Sequence, residues 1–247
     1  MFDNFFNLDV SGEVISSLIV VLIIIVLSII IGIQAHFQDP LKRPKGLLFI
    51  AEEGVKFFDH FAGELAGTAM PNFGGFIMGV AVYLFIAFIF GLTGLPSPVT
   101  NMAVPLSLGL TTFLLIHIIS ARYTKWKYFK RYVDPFPFFL PVNLISMWAP
   151  LLSLTLRLFG NAIAGWVLLS IVEAALRDLS AMVFAFIPSE WNQVFLAPIP
   201  LAILHAYFDL FSGLIQTTVF ISLSAIFIGQ EVPEELSINT LTTERRS

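Results

Sequence analysis

Apolar residues fill this chain in five long runs, with only short polar stretches between them. Val14 to Ile33 carries no charge. A helix needs roughly 20 apolar residues to cross a hydrocarbon core, where only closed backbone hydrogen-bond ladders survive. The pattern therefore predicts a first span over residues 14–33. No charged residue lies between Glu64 and Arg122, and Gly91-Leu92-Thr93-Gly94-Leu95-Pro96-Ser97-Pro98 punctuates that stretch as a turn. The expected result is a two-helix hairpin over residues 73–92 and 103–120.

Two longer segments follow, residues 138–178 and 192–230. In the first, Phe138 to Val172 contains the single charge Arg157; in the second, Asn192 to Gln230 contains the single charge Asp209. At about 1.5 Å per residue the second would reach nearly 60 Å as a helix, against a core of about 30 Å. Both must tilt strongly, break or extend past the bilayer. Pro141, Pro150, Pro198 and Pro200 lie toward the entry ends, where a break or a helix start costs least. Between the first two spans, over residues 46–66, Leu47, Leu48, Ala51, Val55, Phe58, Phe61, Ala62 and Leu65 recur at helical spacing opposite Glu52, Glu53, Lys56, Asp59 and Glu64. That pattern predicts an amphipathic helix on the membrane surface.

Composition agrees with a lipid environment. The chain is 57% hydrophobic and 12% charged, where soluble domains carry about 25% charged residues. The fold class expected is an all-α integral membrane protein: a single membrane domain over residues 1–247, with five transmembrane helices, one cytoplasmic-side amphipathic helix, and the last two helices forming a long tilted hairpin. Eleven of the thirteen basic residues fall in loops on one side, leaving Arg157 and Arg177 as the exceptions. The positive-inside rule makes that side cytoplasmic, with the amino terminus outside and the carboxyl terminus inside. Met1 to Glu13 lacks the basic region of a signal peptide, so the first span is expected to be retained. The basic clusters do not line a face, which argues against nucleic acid as a partner. There is no cysteine, and the four histidines show no metal-binding spacing. No cofactor, metal site or covalent catalysis is expected, and the absence of an internal repeat gives no support to an inverted-repeat transporter.

The candidate chemistry lies in the last two segments. An arginine at a helix centre costs about 2.5–3.5 kcal/mol on insertion scales, and Arg157 cannot escape by losing its proton. It needs an anion or a polar cavity; the bland alternative is a structural ion pair within the bundle. Arg157, Asn161 and Ala164 share one helix face, among the small or polar residues Ser153, Gly160 and Gly165. His205, Asp209, Ser212 and Gln216 share another. With the turn centred near residue 187, antiparallel pairing sets Arg157 level with Gln216 and Ala164 level with Asp209. Glu173, His205 and Asp209 then lie on the outer side of the arginine, a graded set of groups able to take and release protons that ends at a permanent cation. Taken singly, His205 reads equally as a helix-interface histidine, Glu173 as a headgroup contact and His117 as a packing residue.

Leu156-Arg157-Leu158-Phe159-Gly160-Asn161, followed by Ala164-Gly165, resembles the signature of the a-subunit family of F-type ATP synthases. Leu140-Pro141-Val142-Asn143-Leu144-Ile145 resembles a Leu-Pro-Ile-Asn segment of the same family, and Gln216 with Thr217, Val219 and Phe220 resembles its last-span glutamine. The resemblance implies a non-catalytic stator subunit beside a rotating ring of c subunits (the c-ring), held with the b subunit of the peripheral stalk, in which two offset half-channels lead protons or Na⁺ to the ring carboxylates and so couple ion flow to ATP synthesis. It implies that Arg157 is the family's essential arginine, that Asn161 and Gln216 line the same interface, and that Asp209 occupies an outer half-channel position. Trp166 departs from the family, which often carries Glu or His there, and this would shift the relay onto Asp209 or Glu173. The lack of an Arg/Ser-rich presequence makes the plasma (inner) membrane of a bacterium the expected location rather than an organelle. Two other readings compete: a stand-alone proton or anion transporter using an internal Arg157/Asp209 pair, and a non-conducting membrane anchor.

Overall fold

The computed structural model describes residues 11–39, 43–66, 73–125, 136, 138, 140–187 and 190–232. The amino-terminal and carboxyl-terminal tails and most of the basic loop after the third span lie outside these residues. Among the described residues the chain is helical without strands: α1 (Gly12–Phe37), α2 (Leu47–Ala66), α3 (Phe73–Ile89), α4 (Ala103–Thr124), α5 (Leu140–Val183) and α6 (Pro198–Gly229). All except α2 are long and apolar enough to cross a membrane, α3 together with the 3-10 turn Phe90–Thr93 that extends it.

Most of the circumference of α1 is apolar, as expected for a helix facing lipid, and only Ser16 and Val20 are buried. Its link to the bundle is partly polar, because the hydroxyls of Ser17 and of Tyr83 on α3 lie 2.7 Å apart. Hydrogen bonds of this kind help hold helices together where lipid removes the hydrophobic drive. α2 packs against α3 and the far end of α6, with Ala62 and Ala66 buried. Leu47 and Val55, on its expected apolar stripe, are exposed. On its charged side, Lys56 pairs with Glu52 at 2.8 Å and Glu53 at 3.6 Å.

The core lies where α3, α5 and α6 meet, around Leu84, Phe88, Leu154, Leu158 and Phe220. Small residues let the backbones approach. A Cβ on Gly213 would come within 2.6 Å of Phe88 Cβ, and one on Gly229 within 2.5 Å of Ala66 Cα. In membranes this close fit, rather than burial of oil-like surface, carries helix association.

α5 has 44 residues, a length of about 66 Å at 1.5 Å per residue. It runs past the expected end at residue 178 and straight through Pro150, so the proline does not break it. The missing N–H at Pro150 leaves the carbonyl of Ser146 without its helical donor, a defect membrane helices tolerate when nearby groups or water compensate. The second long segment does break. Glu190–Gln193 forms a separate 3-10 turn, and Pro198 opens α6 in its first turn, where a proline's missing donor costs nothing. Within α6, Ala206–Ser212 forms a π-helical turn.

α5 and α6 are antiparallel neighbours in the register that a turn near residue 187 predicts. Asn161 meets Ser212 through a pair of hydrogen bonds, Gly165 packs against Phe208, and Ser180 donates to the Asn192 carbonyl beside the turn. One end of the bundle gathers the start of α1, the α3–α4 turn and the α5–α6 turn; the other gathers α2, the end of α4, the start of α5 and the end of α6.

Because Gly213 faces the root of the Phe88 side chain, Gly213→Leu should cost about 1–3 kcal/mol by overpacking. Thermal unfolding in detergent should show a lowered midpoint, with a smaller drop for Gly213→Ala. An unchanged midpoint for the leucine variant would mean that α3 and α6 are not in contact at that depth.

Candidate functional site

The α5–α6 hairpin carries the polar groups, and two clefts open on it from opposite ends. The cleft at the end holding the α3–α4 turn has a volume of about 610 Å³; Asn161, Trp166 and Glu173 of α5, His205 and Asp209 of α6, and Glu13 of α1 contribute to its walls. At its base, His205 Nδ1 lies 2.8 Å from Asp209 Oδ2. His205 and Asp209 are four residues apart on one helix face, the spacing at which side chains meet, and Asp209 lies within the π-helical turn Ala206–Ser212. The Asp209 carboxyl also lies against Gly91, where a Cβ would sit 3.1 Å from its atoms. Only a residue without a side chain leaves room for the carboxylate there, and the Asp209 side chain is 17% exposed as a result.

One helical turn below Asp209, Ser212 closes the space. Its hydroxyl accepts a hydrogen bond from Asn161 Nδ2 at 2.8 Å and lies 3.2 Å from Asn161 Oδ1, to which it can donate. Arg157 comes next along α5. Its guanidinium is exposed, donates to Ser153 Oγ at 3.4 Å, and has no carboxylate within ion-pair distance among the described residues. The structure therefore does not join Arg157 to Asp209, which bonds His205 instead. Gln216, expected level with Arg157, makes no hydrogen bond to it; the Gln216 Oε1 is buried and has no partner among the described residues. Around Arg157 the hairpin presents large exposed apolar side chains, among them Leu152, Leu156, Phe211, Leu214 and Ile215.

Glu173 is positioned differently from the isolated outer carboxylate of the sequence pattern. It lines the cleft, but Arg177 holds it in an ion pair at 3.1 Å. Trp166 is 59% exposed and forms part of the same wall.

The second cleft, about 260 Å³, opens at the opposite end between α4, α5 and the end of α6. His117, Ser120, Asn143, Ser146, Gln230 and Glu231 supply its polar lining. Pro150 forms part of its wall, so the Ser146 carbonyl freed by that proline lies beside the cleft. His117 does more than pack: its ring lies tilted against Phe113, centroids 4.1 Å apart, and bonds the Phe113 carbonyl through Nδ1, while the side chain lines the cleft. Sequence reasoning missed this cleft because three separate helices build it, and on each its residues look like ordinary interface polars. Along α5 the first cleft reaches Asn161 and the second Pro150, about 16 Å apart on a helix, and Arg157 lies between them.

Two polar clefts entering from opposite ends and stopping short of each other beside an intramembrane arginine define an ion-handling polytopic membrane protein of the all-α class. A family model described as ATP synthase A chain matches residues 14–229, and the chain belongs to that family, whose members are non-catalytic, proton-translocating membrane subunits of F-type ATP synthase. The chain is similar to ATP synthase subunit a of Limosilactobacillus fermentum, 28% identical over 218 residues, covering 84% of this chain and 86% of that protein. It is 32% identical over 177 residues to ATP synthase subunit a of Desulfotalea psychrophila, covering 70% and 65% respectively. Against ATP synthase subunit a of Mycoplasmoides gallisepticum it is 25% identical over 207 residues, covering 78% and 69%.

Asp209→Asn should preserve assembly and slow ATP-driven acidification of inverted vesicles about tenfold, equivalent to about 1.4 kcal/mol of added barrier. Wild-type pumping by that variant would remove Asp209 from the proton path.

Proposed function

We propose that this chain is the stationary ion-conducting partner of a rotating c-ring, with the larger cleft as the outer half-channel, the smaller as the cytoplasmic half-channel, and Arg157 as the charge that keeps them apart. The observation that carries this reading is the exposed guanidinium of Arg157, without an ion pair among the described residues, on an apolar face between two clefts that do not meet.

Lipid is a poor host for such a cation, so the face calls for a partner surface carrying an anion. A ring of helices, each bearing one membrane carboxylate, supplies that anion repeatedly as it turns. A ring carboxylate leaving the outer cleft is protonated through Asp209 and can enter lipid as a neutral group. Returning from the other side, it releases its proton to the cytoplasmic cleft through the region of Ser146 and His117, and Arg157 attracts the resulting anion. Because the guanidinium cannot accept a proton, it also forms a barrier to direct transfer from one cleft to the other. Asn161, Ser212 and Gln216 bracket the arginine, and the buried Gln216 Oε1 is an acceptor without a partner among the described residues.

Orientation follows from charge: Arg43, Lys45, Lys56, Arg122 and Lys125 lie at the end holding the smaller cleft, which the positive-inside rule makes cytoplasmic. α2 lies on that side at the membrane surface, and the b subunit of the peripheral stalk holds the chain against rotation. The absence of an Arg157–Asp209 pair weighs against a stand-alone transporter.

The test is ATP-driven acidification of inverted vesicles carrying Arg157→Ala, with assembly checked on the same membranes. Pumping should vanish while the complex remains assembled. Retained pumping would reduce Arg157 to a structural residue and overturn the mechanism.

A further inference from the structure

We infer that Glu13, on the first helix, is the carboxylate that collects protons at the mouth of the outer cleft, ahead of the graded set Glu173, His205 and Asp209. The inference rests on reading that cleft as the outer proton entry.

Glu13 is half-buried in the cleft wall. On a helix it shares a face with Ser16, Ser17 and Val20, the two buried residues of α1 and the one bonded to Tyr83. A carboxylate thus occupies the inward stripe of a helix whose other faces are apolar. Three contacts hold it there: Asn101 Nδ2 donates to Ser11 Oγ at 3.1 Å, Gly12 packs on Pro96, where a Cβ would sit 3.3 Å from Cγ, and Ser17 meets Tyr83 at 2.7 Å. α1 is therefore pinned to the α3–α4 turn and to α3 at the level of the cleft mouth.

The charged groups facing Glu13 across the cleft are already matched. Glu173 of α5 is paired with Arg177, Asp209 of α6 is bonded to His205, and the α3–α4 turn contributes only neutral polar groups, Ser97 and Thr100. Glu13 has no ion pair among the described residues. Among the described residues lining the cleft it is the carboxylate left to exchange protons with buffer at the mouth and pass them inward, and its negative charge raises the local proton concentration. One unit charge at about 7 Å through a water-like dielectric changes that concentration about threefold.

The experiment is potential-driven ATP synthesis by inverted vesicles containing the whole complex, their lumen loaded with a small mobile buffer at low or high concentration. Glu13→Gln should run about threefold slower than wild type at low buffer and match it at high buffer, where carriers deliver protons directly to the cleft. Glu13→Asp should stay close to wild type at both. Equal rates for Glu13→Gln at low buffer, or a loss that high buffer does not relieve, would overturn the inference. Synthesis that persists in Arg157→Ala would instead overturn the underlying channel reading, whatever Glu13 does.

Discussion

A guanidinium in hydrocarbon cannot become neutral, and the arrangement around Arg157 follows from that constraint. The cation is neither buried in an ion pair nor enclosed in a cavity; it lies open on an apolar face with Ser153 as its hydrogen-bond acceptor within the chain. Such a site is incomplete by itself. Other features accord with this: the small residues that let α5 and α6 run close together, the unmatched Gln216 oxygen, and polar clefts that stop short of the arginine on either side.

The two clefts rest on different local devices. The larger is lined by Asp209 within a π-helical turn, bonded to His205 four residues earlier, and rests on Gly91, whose missing side chain makes room for the carboxylate. The smaller depends on a proline inside a continuous helix, which leaves a backbone carbonyl free. In both, an irregular backbone appears only where it borders a polar space, the condition under which a membrane tolerates it.

The spans were legible in the sequence because apolar length is a local property, and so was the register of the last hairpin, because helix rise is constant and the turn could be located. The prominence of Arg157 followed from its isolation in an apolar run. What could not be read depends on meetings between distant segments. Glu173 read as one of a graded outer set or as a headgroup contact, and its i+4 pairing with Arg177 entered neither reading. Glu13 looked like part of an acidic tail, since nothing local says that α1 docks by its first turn. Asn143, Ser146 and Glu231 are distributed over two helix ends, and their common cleft exists only once α4 is placed between them.

The alignment of α5 against α6 is held by the Asn161–Ser212 bond and the Gly165–Phe208 contact, both well inside the hairpin. The connection at residues 184–197 adds to that alignment near its end, where Ser180 bonds the Asn192 carbonyl and Phe184 packs on Phe195, but the braces deeper in the hairpin hold it independently. Evolution can lengthen, shorten or rewrite that connection, even adding a surface for some other component, without sliding the arginine past its neighbours. Insertions within either helix between the brace and Arg157 have no such freedom, because each would rotate the cation by about 100° per residue out of its face.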